Sequence, residues 1–187
     1  NANGFATPQE LAEAFNIGIA INIEGKTSQS DIRQLLIADG PEAKKFVDLL
    51  SNILSATTNI LFAIRDTMGE TAMQEFLVKN PIQTSDLMPP IDLSSITMQG
   101  DDIATAKNTK DELLTMHLTP EGWKIFLSVS SDENATLFAM ADQIGTMMDP
   151  LIKMMNSLAE QIRNGEITTI DELDAAGEEF MADFNPF

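Results

Sequence analysis

The chain has 187 residues, the length of a single domain, and 29 acids against 11 bases leave a formal charge of -18. Apolar residues make up 43%, enough for a core, so a wholly disordered acidic chain is excluded. Direct nucleic-acid binding and an anionic membrane surface are disfavoured, because both require Lys and Arg against phosphate, and the absence of Cys removes disulfides and thiolate chemistry.

The first residue is Asn1 rather than Met. That fits a processed, exported or periplasmic protein, and equally a fragment in which Asn1-Ala2 is a tag scar. Thr7-Pro8-Gln9-Glu10 predicts a helix start, with Thr as N-cap, Pro at the first helical position and Glu three residues on. Ile17, Ile19, Ile21 and Ile23 then alternate with Gly18, Ala20 and Asn22, which suits a strand over 17–23 or a continued helix. A short helix is expected over 31–38, ended by Asp39-Gly40.

Pro41 opens the strongest helix, to about Thr67, with Phe46, Leu50, Ile53, Leu54, Ile60, Leu61 and Ile64 on one stripe. No apolar run approaches the ~18 residues of a membrane span, so no membrane insertion is expected. Gly69 breaks the helix, and a further one runs to Lys79. Residues 80–112 hold Pro81, Pro89 and Pro90 among polar residues and show no sustained period, which reads as a strap or linker.

Two alternating runs flank Thr119-Pro120-Glu121-Gly122 and predict an antiparallel hairpin over 113–129; the rival reading makes Thr119 a helix N-cap. From Asn134 to Arg163, Leu137, Met140, Ile144, Met147, Leu151, Met154 and Leu158 keep a 3-4 spacing, the seam of a packed helix with a kink or break at Pro150. Core placement would make Met147→Ala costly. Asn164-Gly165 ends this helix, and the capping box Thr169-Ile170-Asp171-Glu172 starts an acidic C-terminal helix within 164–187, where seven acids meet no base.

Candidate chemistry is sparse. Ala20 to Thr27 satisfies a relaxed phosphate-loop pattern, but Ile-Asn-Ile-Glu between the glycines is extended and puts an acid where a phosphate would sit. Asn164 to Asp171 resembles half a calcium loop whose earlier ligand position falls on Ile162, which has no oxygen to offer. His117 is the only histidine, so a catalytic triad or zinc site has little to build on. No catalytic residue, cofactor or metal ligand is therefore assigned.

The candidate partner-binding residues are apolar. Met148 and Met155 lie off the methionine seam, and Ile170, Leu173, Phe180 and Phe184 form a row opposite the acids of the last helix. The terminal Asn185-Pro186-Phe187 matches a short peptide motif by chance. Together these readings predict one mainly α domain over 1–187. It is a helical bundle with long packed helices at 41–67 and 134–163 and a small β-hairpin, with an all-α bundle as the alternative. The function expected is that of a non-enzymatic, soluble interaction or structural protein of bacterial or viral kind, with a basic protein as partner. Two alternatives are an acidic nucleic-acid mimic and an enzyme built on carboxylates, with or without a metal.

Overall fold

The computed structural model describes residues 4–19, 32–80, 89–127 and 140–183. The described residues form six helices, α1 (Pro8–Ile19), α2 (Ile32–Leu35), α3 (Pro41–Met68), α4 (Glu70–Lys79), α5 (Ala141–Arg163) and α6 (Ile170–Asp183). They also form five strands, β1 (Leu36–Ala38), β2 (Ile91–Met98), β3 (Ile103–Asn108), β4 (Leu113–Thr119) and β5 (Gly122–Leu127), in one mixed sheet ordered β1-β5-β4-β3-β2. The fold is α+β. The mainly helical bundle is overturned, and so is its all-α alternative.

The chain divides into two compact units, unit 1 (Asn1–Ser51 and Gln83–Ala141) and unit 2 (Asn52–Ile82 and Asp142–Phe187). Helix α3 belongs to unit 1 through Ser51 and to unit 2 from Asn52.

Unit 1 is the sheet and the helix laid across it. The capping box at Thr7 forms as expected: Glu10 N–H donates to Thr7 Oγ1 at 3.1 Å, and Glu10 Oε2 accepts from Ala6 N–H at 2.9 Å. Helix α1 continues through Ile17–Ile19, so the strand expected from 17 does not start there; residues 20–23 lie outside the described residues. α1 contacts both β5 and β2, and so crosses β4 and β3 between them. Three strand spacings make ~14 Å, within the ~18 Å length of a 12-residue helix. Its buried Leu11, Ala12 and Phe15 face a sheet surface that includes Ala104, Met116 and Ile125, all at most 1% exposed. At the sheet edge the Asn16 side chain takes a sixth strand's place: its Nδ2 donates to Ile91 O at 2.9 Å and its Oδ1 accepts from Ile91 N–H at 2.7 Å.

The sheet shows why the bundle reading failed. Leu36–Ala38, expected to be helical, pair in parallel with Ile125–Leu127, and Asp39 N–H extends the ladder to Leu127 O at 2.9 Å. A partner more than eighty residues downstream outweighs local preference. Residues 91–108, expected to lie in a strap, form β2 and β3. Their alternation is hidden twice over. Ala104 and Ala106 are too small to mark a buried face, and the β2 register shifts between Asp92 and Thr97, where Ser95 Oγ accepts from Lys107 N–H at 2.7 Å. The hairpin expected at 113–129 is present as β4 and β5, two strands of the larger sheet. Its turn holds Gly122 at φ +109, and Thr119 Oγ1 donates to Gly122 O at 2.7 Å. Gly4 packs against this turn so closely that a Cβ would stand 1.3 Å from Glu121 O, while Trp123 N–H donates to Phe5 O at 3.0 Å.

Unit 2 is helical. Gly69, at φ +94, separates α3 from α4. Buried Ile60, Leu61 and Ile64 of α3 join Met73 of α4, Leu158, Ala159 and Ile162 of α5, and Ile170 and Leu173 of α6 in the unit's core. One residue ties α3 to α5: Asn59 Nδ2 donates to Asn156 Oδ1 at 2.8 Å, and the Asn59 backbone O accepts from Arg163 Nη2 at 3.1 Å. Two expectations about α5 are corrected. The break with Asp149 as a cap does not occur: α5 runs through Pro150 as one helix, with Asp149 paired to Lys153 at 2.7 Å. The methionine seam is buried at one end only, since Leu158 is 7% exposed but Met140 and Met147 are 45% and 52% exposed. Residues 134–139, including Leu137, lie outside the described residues. Helix α3 has the length and composition of a membrane span, contrary to expectation; half of its apolar window is buried within the protein, as in a core helix.

Candidate functional site

Glu166, Asp171, Glu172, Asp174, Glu178, Glu179 and Asp183 follow Arg163 without an intervening base. Local sequence fixes the helix that carries most of them. Gly165 at φ +77 lets Gly165 N–H and Glu166 N–H return to Ile162 O (3.1 Å) and Gln161 O (2.9 Å), closing α5. Thr169 then caps α6, accepting from Glu172 N–H at 3.2 Å, while Glu172 Oε2 accepts from Thr168 N–H at 2.8 Å and Thr168 Oγ1 at 3.0 Å. These bonds, the Thr168 N–H first among them, hold the Glu172 carboxyl below its ordinary range. The half calcium loop is thus a helix stop followed by a helix start.

A second tie docks α6 on α4. Lys79 Nζ lies 3.2 Å from Asp174 Oδ2, 3.2 Å from Glu75 Oε1 and 3.6 Å from Asp171 Oδ1. The hydrogen bond to Asp174, then that to Glu75, raises the Lys79 ammonium above its ordinary value. Exposed pairs of this kind contribute little energy each; here they set which side of α6 faces α4.

The six candidate partner-binding residues, whose rival reading is packing within the chain, separate accordingly. Ile170 and Leu173 are 6% and 2% exposed and belong to the unit 2 core. Met148, Met155 and Phe180 are half-buried, and Phe184 lies outside the described residues. The outward side of α6 instead presents Glu178 and Glu179, while Met181, eleven residues after Ile170 and so near its side of the helix, is 50% exposed. Met181 shares the side of Ile170 by helical spacing, so its exposure near the helix end is a matter of packing that spacing does not reveal.

Unit 1 offers a different surface. The sheet face opposite α1 holds His117, half-buried, its ring 4.7 Å from that of Phe126. His117 stands directly across from Lys124 and Ile103 in the strand register. Lys124 is paired with Glu121, whose carboxyl this ammonium holds below its ordinary range. Asp92 is held low by the Ser94 hydroxyl and amide. Every carboxyl displaced among the described residues is exposed and moves toward the charged form, the direction of hydrogen-bonded surface acids; a general acid needs the reverse. Among the described residues no group of three or more His, Asp or Glu is placed to hold a metal ion.

No protein-family model matches the chain, and comparison with curated proteins and with solved structures finds no match.

Proposed function

We propose that this chain is a non-enzymatic interaction protein whose outward α6 face receives a basic protein surface. One observation carries the reading: α6 spends Ile170 and Leu173 on its own core while its other side shows the exposed Glu178 and Glu179 and no base. Such a helix is a fixed platform. The sequence alone also allowed a detachable ligand for another protein's groove, but burial of half the apolar row leaves too little to insert. Glu178 and Glu179 supply attraction and orientation, and Met181 supplies adaptable apolar contact at their edge.

The test is calorimetric titration with a basic amphipathic helical peptide of Lys and Leu. The chain should bind it, and affinity should fall as salt rises. The double variant Glu178→Lys/Glu179→Lys should lose most of the affinity. Asp101→Lys/Asp102→Lys, which changes net charge equally in the β2–β3 turn, should lose little. Equal losses from both variants would reduce the effect to overall charge and defeat the proposal.

A further inference from the structure

The acids of α6 do not meet an incoming base on equal terms. Asp171, Asp174 and Glu178 stand at i, i+3 and i+7 and so form one row along the helix, ~10.5 Å from first to last. Lys79, the last residue of α4, reaches across to this row and lies 3.2 Å from Asp174 and 3.6 Å from Asp171, with Glu75 of its own helix at 3.2 Å. The first two acids of the row therefore already hold an ammonium, the group that a basic partner would bring. The third, Glu178, is exposed one turn further on.

We propose that Lys79 is an internal competitor of the partner, an autoinhibitory contact that occupies Asp171 and Asp174 and confines docking to Glu178 and Glu179. The inference rests on the reading of α6 as the docking face and adds what limits the affinity of that face. The contact is of a kind that exchanges. Asp171 is 94% exposed and Lys79 is 41% exposed, so their attraction is weak in water and another ammonium can replace it. Helix α6 does not need Lys79 to stay in place, because burial of Ile170 and Leu173 outweighs exposed ion pairs. Removing the charge of Lys79 should therefore leave α6 docked, lift the repulsion felt by an incoming base and open the row from end to end.

Calorimetric titration with the same Lys/Leu peptide at low salt tests this. Lys79→Gln should tighten binding about fivefold, the reach of exposed ion pairs, and Lys79→Arg, which keeps the charge, should leave affinity unchanged. Lys107→Gln removes an equal charge from beside Asp111 in unit 1, 3.3 Å away, and should tighten binding far less. In the Lys79→Gln chain the peptide should also shift the amides of Asp171 and Asp174, while hydrogen exchange along α6 stays as it was. If the unaltered chain binds the peptide and Lys79→Gln binds it no tighter, this inference falls and the docking face stands. Equal tightening by Lys107→Gln would reduce the effect to net charge and overturn the inference too. Faster exchange along α6 in the Lys79→Gln chain would overturn it by making Lys79 a tie that holds the helix. Failure of the unaltered chain and of every variant to bind would overturn the docking face itself, and this inference with it.

Discussion

The two units carry the same sequence charge, 16 acids to 7 bases in unit 1 and 13 to 4 in unit 2, a net of -9 each. They differ in how their cores are assembled. Unit 2 buries residues at helical spacing, and the signals that start and stop its helices lie within a few positions of the residues they serve. Unit 1 buries residues against partners far along the chain, Leu36 beside Ile125 and Asn16 beside Ile91. Local repetition reveals the first kind of core and conceals the second.

The largest effect predicted from this contrast is removal of α6. Truncation at Asn164 strips Ile167, Ile170 and Leu173 from the unit 2 core, each worth roughly 1.5–3 kcal/mol when fully buried. Hydrogen exchange over α4 and α5 should accelerate markedly. Unchanged protection there would mean that α6 is an ornament and that the unit 2 core is drawn wrongly. In unit 1 the matching change is Ile125→Ala, at a site 1% exposed, with an expected loss of roughly 2–5 kcal/mol by denaturant melting. A loss below that range would mean that the α1-facing surface of the sheet is not closed.

A cap should cost less than a core. Thr169→Ala removes the acceptor for Glu172 N–H and should cost about 1 kcal/mol. The Glu172 carboxyl adds a pH signature. Its folded value lies below the ordinary 4.5, so its contribution is present above that pH and is lost as pH falls through the folded value. Glu172→Gln should therefore lower stability most at neutral pH, change it little in strong acid, and so flatten the acid limb of the stability profile. The smallest effect belongs to Met147→Ala. At 52% exposure it should shift stability by less than about 0.5 kcal/mol. A core-sized loss would restore the seam as it was read from spacing.

Particular residues explain what could be read in advance. Thr7 with Glu10 and Thr169 with Glu172 announced two helix starts, and both capping networks form, because a cap is a contact between residues three or four apart. Gly69 and Gly165 marked helix ends for the same reason. Thr119-Pro120-Glu121-Gly122 announced the one hairpin whose turn chemistry is explicit. Strand β1 was hidden because three residues after a helical turn carry no period, and β3 because alanine marks no face. Helical spacing in α5 located its stripe and could not say that Met147 faces outward, since burial depends on what neighbours the helix. The candidate site was half legible. The acid run stands in the sequence, but the turning of Ile170 and Leu173 inward, which leaves Glu178 and Glu179 as the presented side with Met181 exposed near the helix end, is a property of packing.

The central claim, that the outward side of α6 is where a basic partner docks, is tested most directly by amide chemical-shift mapping of the labelled chain against the Lys/Leu peptide. The predicted result is a set of shifts centred on Glu178, Glu179 and Met181, with Phe126 and Thr115 on the unit 1 sheet unmoved at salt high enough to screen diffuse attraction. Shifts spread over acids of both units, or centred on the sheet, would contradict it.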